Sequence, residues 1–242
     1  RPVAEVRLLS IDKGDRTCYV MKVDKDIDGI LEEPRRYAVE NTTRGASAII
    51  RNCTVEYNRA RSLLISTPGD VLIENCKFGS MMAGIRICGD ANYWFESGNT
   101  RNVVIRGNTF TDLGIGGREP QAILQIDPII PSDARANDFF YHDRIVFEDN
   151  TVSTFDNQII YALSVKSLEI KNNRFIDTKT YAPLFPQLSV IDVQYCGDVK
   201  IVGNDFTKWK ENATISIHNC VKVENDSDVQ VVDSPNPFFY QS

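Results

Sequence analysis

Two histidines, two tryptophans and three methionines are all that the 242 residues hold of those types. With His142 and His218 as the whole histidine complement, a histidine-rich metal centre is not expected. The six cysteines (Cys18, Cys53, Cys76, Cys88, Cys196 and Cys220) are too few for a disulfide scaffold of this length and form no CxxC pair. No metal and no cofactor is therefore expected. No stretch approaches the roughly 20 apolar residues needed to span a bilayer. Basic residues do not outnumber acidic ones: 27 Lys and Arg face 33 Asp and Glu, for a net charge of −6. Phosphate binding needs a basic face, so nucleic acid is not the expected partner. The chain opens on Arg1 and no charged-then-apolar signal segment follows, which suggests a processed form or a fragment.

What remains is an ordinary globular composition, 42% hydrophobic and 25% charged. It suits one sizeable domain with at most a small appendage. Four Asn-x-Ser/Thr sequons, at Asn41, Asn52, Asn212 and Asn225, read as chance in an Asn-rich chain.

One pattern recurs six times: an aliphatic or aromatic residue, two variable residues, Asn or Cys, one variable residue, then Phe or Val. It runs Ile50-Arg-Asn-Cys53-Thr-Val55, Ile73-Glu-Asn-Cys76-Lys-Phe78, Ile105-Arg-Gly-Asn108-Thr-Phe110, Phe147-Glu-Asp-Asn150-Thr-Val152, Ile170-Lys-Asn-Asn173-Arg-Phe175 and Ile201-Val-Gly-Asn204-Asp-Phe206. The leading residues lie 23, 32, 42, 23 and 31 positions apart. A base period of 23, with insertions in some repeats, fits one coil of a parallel β-helix. Inward Ile, Val and Phe would stack from coil to coil, and the Asn column would form an amide ladder with rungs about 4.8 Å apart. Cys53 and Cys76 occupy that column as small buried thiols, with a disulfide as the lesser option. A leucine-rich repeat would need a leucine signature that is missing. The fold class is therefore all-β, a right-handed parallel β-helix of about six coils.

A second strand follows in each coil, as in Leu63-Leu-Ile65, Ile85-Arg-Ile87, Ile123-Leu-Gln-Ile126, Ile160-Tyr-Ala-Leu163, Val190-Ile-Asp-Val193 and Ile215-Ser-Ile217. Long excursions leave after this strand, over 89–101 and 127–143, and should lie side by side on one wall, where solenoids place binding sites. A third excursion, 178–188, flanks the same wall. The solenoid itself is expected over 41–225. Residues 1–40 read as a hairpin or part of a small β-barrel that caps the bare edge, and 226–242 as a cap for the other end.

The segment Cys88-Gly-Asp90-Ala-Asn92-Tyr93-Trp94-Phe95-Glu96-Ser-Gly98 concentrates two carboxylates, two glycines and three consecutive aromatics. Aromatic faces pack on the apolar face of a pyranose and a carboxylate pair hydrolyses glycosides; alternatively the segment is a surface turn capped by Asp90. Aligning Ile87 with Ile126 puts Asp127 just past the same strand one coil on, so Asp90 and Asp127 can face one pocket and drive their pKa values apart. The plainer reading is a turn residue before Pro128. Arg86, between two inward isoleucines, points outward on that wall, as does Asp192, two coils on from Asp127, while Arg61 reads as a solvated charge. His142, at the exit of the second excursion, is a further site candidate whose plainer role is loop support.

The runs Arg59-Ala-Arg-Ser-Leu-Leu-Ile-Ser-Thr-Pro68, Val71-Leu-Ile-Glu-Asn75, Gly89-Asp-Ala-Asn-Tyr-Trp-Phe-Glu-Ser-Gly98 and Asn102-Val-Val-Ile-Arg-Gly-Asn-Thr-Phe110 resemble glycoside hydrolase family 110, bacterial α-1,3-galactosidases. The resemblance covers roughly 41–225. It implies a parallel β-helix enzyme that removes terminal galactose, including that of blood-group B structures, with inversion and without a metal. It implies Asp90 and Glu96 as site carboxylates and Asp127 as an acid from the following coil; Arg86, Asn92, Tyr93, Trp94, Asp192 and His142 are the expected sugar-binding surround. The partner would be a terminal galactosyl glycan, and the setting secreted or periplasmic. Family members are longer, and this chain corresponds to their C-terminal part. A non-catalytic carbohydrate-binding β-helix is the competing class. A Ca²⁺-dependent, pectate-lyase-like enzyme ranks behind both, since it needs clustered acids.

Overall fold

A computed structural model describes residues 3–31, 37–90, 94, 98–116, 119–209 and 211–236. The chain divides into two compact units, Arg1–Asn41 and Thr42–Ser242. In the first, Leu8–Lys13 and Tyr19–Val23 pair antiparallel around a turn closed by Gly14 N–H to Cys18 O at 3.0 Å. This is a hairpin; the described residues of this unit hold no further strand that would close a barrel.

The second unit is built from three parallel sheets wound in succession. The first stacks Ala48–Arg51, Asp70–Glu74, Asn102–Arg106, His142–Glu148, Val165–Lys171, Asp198–Val202 and Lys222–Asn225. The second stacks Thr54–Asn58, Lys77–Ser80, Thr109–Thr111, Thr151–Thr154, Arg174–Asp177 and Asp205–Lys208. The third stacks Leu63–Ile65, Ile85–Ile87, Leu124–Ile126, Ile160–Leu163, Ile191–Gln194, Thr214–His218 and Gln230–Val232. Each coil thus contributes three strands. The sequence repeat brackets the corner between the first two, which is why it reads as one motif and hides a strand boundary.

The columns of the repeat are columns in space. Ile50, Ile73, Ile105, Phe147, Ile170 and Ile201 are successive register partners in the first sheet. Val55, Phe78, Phe110, Val152 and Phe175 are register partners in the second. Phe78 and Phe110 stack at 5.1 Å and Phe175 meets Phe206 at 4.7 Å. From the second coil to the fifth these columns are fully buried.

Between them runs the asparagine ladder. Asn108 Nδ2 donates to Asn150 Oδ1 at 3.0 Å, Asn150 to Asn173 at 3.1 Å, and Asn173 to Asn204 at 2.9 Å. The second proton of each amide goes to the carbonyl of the leading residue one coil back: Ile73, Ile105, Phe147 and Ile170. Each Oδ1 also accepts the backbone N–H of the preceding rung. The buried amides are therefore fully satisfied. Cys76 fills the same place with a weaker acceptor, taking the Cys53 N–H at 3.5 Å. No cysteine is in a disulfide. The residue before each rung, Asn52, Asn75, Gly107, Asp149, Asn172 and Gly203, has φ between 54° and 66°. Only Gly, Asn and Asp adopt that region routinely, so this variable position of the repeat is in fact constrained.

Asn150→Ala strips partners from Asn108 and Asn173 at once. Leaving buried polar groups unmet costs about 1–3 kcal/mol each. A clear fall in the urea midpoint is expected, against no measurable change for Asn137→Ala on the exposed part of an excursion.

Candidate functional site

From the second coil on, the outer face of the third sheet is largely shielded from solvent. In a strand, alternate side chains leave the core, and here the outward set is Arg86, Gln125, Tyr161, Asp192 and Ser216, all in register. Yet Gln125, Tyr161, Asp192 and Ser216 are buried. Tyr161 packs with Ala122, Leu163 and Tyr195 in a small second cluster outside the main core.

The strongest feature on this face is an ion pair. Arg86 Nε donates to Asp127 Oδ1 and its Nη2 to Asp127 Oδ2, each at 2.8 Å. Gln125 Nε2 adds a bond to Oδ2 at 2.8 Å. Burial pushes the Asp127 carboxyl up, against the pull of Arg86, of the Gln125 amide and, from further off, of Arg61. The charge partner of Asp127 is thus an arginine one coil back, rather than the second carboxylate expected from the alignment. The alignment itself holds: Ile87 pairs with Ile126. Beyond the strands the pairing continues, with Asp127 N–H to Ile87 O and Ile129 N–H to Gly89 O, both at 3.1 Å. The two excursions therefore leave the coils side by side, and Asp90 and Asp127, 2% and 3% exposed, stand on the same wall.

Gly89 is required by close approach. A Cβ there would sit 2.2 Å from the hydroxyl of Tyr141. Tyr141, at the return of the second excursion, thus abuts the residue before Asp90, a neighbour that the spacing of the sequence does not reveal. Trp94 is 70% exposed and presents its ring to solvent instead of covering the wall. Asn92, Tyr93 and Glu96 lie outside the described residues.

Asp192 stands on this face and His142 opens a first-sheet strand at the return of the second excursion, and neither has exposed surface. His142 Nδ1 accepts the Thr100 N–H at 3.1 Å, tying the end of the first excursion to the end of the second. Burial alone lowers its pKa to about 3, so the ring is neutral. Asp192 accepts from Gln194 Nε2 at 3.0 Å and from the backbone N–H of Asn236. Burial raises its carboxyl to about 6. Gln125, which the sequence does not single out, holds Asp127; its signal was an amide between two buried aliphatics. Among the described residues, Gln125 Oε1, Ser216 Oγ and His142 Nε2 are buried without a hydrogen-bond partner, so this face keeps polar atoms that a water or a ligand could meet. Among the described residues, no three His, Cys, Asp or Glu side chains group as metal ligands.

Two measurements check this account. Arg86→Met strands the buried Asp127 charge and should cost about 3–5 kcal/mol, most of it regained in Arg86→Met/Asp127→Leu; equal costs for single and double variants would refute the buried pair. The second concerns pH. The unfolded chain protonates its histidine near pH 6.5, whereas folded His142 waits until about 3. Its stability is complete above pH 6.5 and drains as pH falls toward 3. Asp192 acts oppositely, its contribution complete below its ordinary 3.8 and lost as pH rises through about 6. Wild type should therefore lose more stability between pH 7 and 4.5 than His142→Gln, by about 2 kcal/mol in urea titrations.

The right-handed β-helix family model matches residues 38–234. The chain is 37% identical over 248 aligned positions to alpha-1,3-galactosidase B of Bacteroides thetaiotaomicron, covering 99% of this chain and 38% of that one. It is 34% identical to alpha-1,3-galactosidase A of Bacteroides fragilis, covering 90% and 35%. It is 34% identical to an alpha-1,3-galactosidase B of Phocaeicola vulgatus, covering 69% and 29%. These relatives carry the name that the resemblance implied, and the chain spans less than two-fifths of their length. With three parallel sheets, an asparagine ladder from Asn108 to Asn204 and a family model spanning the whole solenoid, the chain belongs to the right-handed β-helix family.

Proposed function

We propose that this chain is the site-bearing segment of an exo-acting, inverting α-1,3-galactosidase that removes terminal galactose from glycans, blood-group B-like ones included, in a secreted or periplasmic setting. The observation that carries the reading is the paired departure of the two excursions, which sets carboxylates from adjacent coils on one wall beside an arginine. The names of the relatives point to the same chemistry.

In this reading Trp94 offers its exposed ring to the apolar face of galactose. Asp90 and Glu96 are the proton-transfer pair. One, protonated, donates to the leaving glycosidic oxygen. The other takes a proton from a water on the opposite face of the sugar, which attacks the anomeric carbon in a single displacement. Such a pair needs about 6.5–9.5 Å between carboxyls to admit that water. Asp127, held on both oxygens, keeps Arg86 and Gln125 fixed and lends the wall a preorganised charge. No cofactor enters the scheme.

A second reading, a carbohydrate-binding segment without turnover, draws on the full engagement of both Asp127 oxygens. The test is galactose release from an α-1,3-galactosyl disaccharide, with NMR of the anomer formed first. Release of β-galactose, lost by about 10³-fold or more in Asp90→Asn or Glu96→Gln while sugar affinity persists, supports the enzyme. Retained binding without release by the folded chain supports the binder, and α-galactose as first product overturns inversion.

A further inference from the structure

The turns that return the chain from the third sheet to the first stack a second column, and its last two rungs are thiols. Tyr195 and Asn219 both take φ 51°, and Cys196 and Cys220 follow them. Val221 N–H donates to Cys196 O at 2.9 Å and Lys222 N–H to Gly197 O at 3.0 Å. The strands that follow pair Asp198 with Lys222 and Val199 with Val223, so Cys196 and Cys220 are register partners on neighbouring coils. Parallel neighbours lie about 4.8 Å apart, inside the Cα window of about 4.4–6.8 Å for a disulfide. The two sulfurs sit alike in their turns, Cys196 Sγ against Gln194 O at 3.4 Å and Cys220 Sγ against His218 O at 3.5 Å. The two thiols are close enough to shift each other's acidity. Cys196 is sealed in the core. Cys220 is partly exposed and precedes Lys222–Asn225, the edge strand of the first sheet, so its coil has no further rung to displace when it closes on Cys196.

We propose that Cys196 and Cys220 are a reversible redox pair, oxidised by a small-molecule disulfide to a cross-link that fastens the last coil to the one before it. The Cys220 thiolate attacks one sulfur of the donor; the donor's S–S bond breaks, a mixed disulfide forms on Cys220, and one donor thiolate leaves and takes a proton. Cys196 then gives up its proton and attacks the Cys220 sulfur; the Cys196–Cys220 bond forms and the second donor thiol departs. Two protein thiols are oxidised and one donor disulfide is reduced to two thiols. The order follows from the surroundings. The neighbouring Cys196 thiol draws Cys220 below the usual thiol range, and burial pushes Cys196 well above it.

The test uses oxidised glutathione as donor, at neutral pH, on the whole chain. After acid quenching and alkylation, mass spectrometry of an unreduced digest should show a linked Cys196–Cys220 peptide pair. In denaturant the protein should lose two of its six titratable thiols. The urea midpoint should rise on oxidation and return with dithiothreitol, with no such shift in Cys220→Ser. Cys196→Ser should instead trap glutathione on Cys220. Wild type that stops at a glutathione adduct, a cross-link that maps to Cys53 and Cys76, or an oxidised protein with an unchanged midpoint overturns the proposal.

Discussion

The asparagine ladder is the constraint on which everything else rests. It sits where the chain turns sharply between two buried columns, at a corner whose backbone groups would otherwise be stranded. By giving both protons and both lone pairs of each amide to neighbouring coils, it fixes the rise from coil to coil and the phase of every strand that follows. The amides all point the same way along the axis, so each rung polarises the next. Where sulfur replaces the amide, at Cys76 and Cys53, the contacts lengthen and burial gives way to exposure in the first coil.

The two outer faces show what the frame leaves open. On the first sheet the outward residues form a solvated row of ion pairs, with Glu74 held below the usual carboxylate range chiefly by Arg106. Lys171 and Arg144 bracket Glu169 in the same fashion. Exposed pairs of this kind contribute little. On the third sheet the same alternation produces Arg86, Gln125 and Asp192, but these are largely buried, against Asp127 and the tail residue Asn236, and their charges must be answered inside the protein. One fold thus yields a decorative face and a demanding one, and the difference lies wholly in what the connecting segments cover.

This division also explains what was legible in the sequence. The period of 23, the Ile and Phe columns and the Asn rungs are set by contacts repeated in every coil, so they surface as a pattern. The residue before each rung carried a signal too, Gly, Asn or Asp at every occurrence, visible once its positive φ is known. The pairing of Asp127 with Arg86 was half legible, since register placed them one coil apart but could not tell cation from carboxylate as the nearer partner. The burial of His142 and Asp192 was not legible. It depends on Thr100 and on Asn236, 42 and 44 residues away, in segments that obey no repeat.

The excursions have a consequence for how such a wall can change. Successive rungs of the ladder are separated by 23 residues in one place and 42 in another. Loop-closure entropy grows only with the logarithm of length, so the longer coil costs about 0.5 kcal/mol more to close than the shorter one. That is less than the net worth of one hydrogen bond, about 1 kcal/mol. A lineage built on this frame can therefore lengthen, shorten or rewrite the excursions almost without thermodynamic penalty, while the asparagine corner admits hardly any substitution.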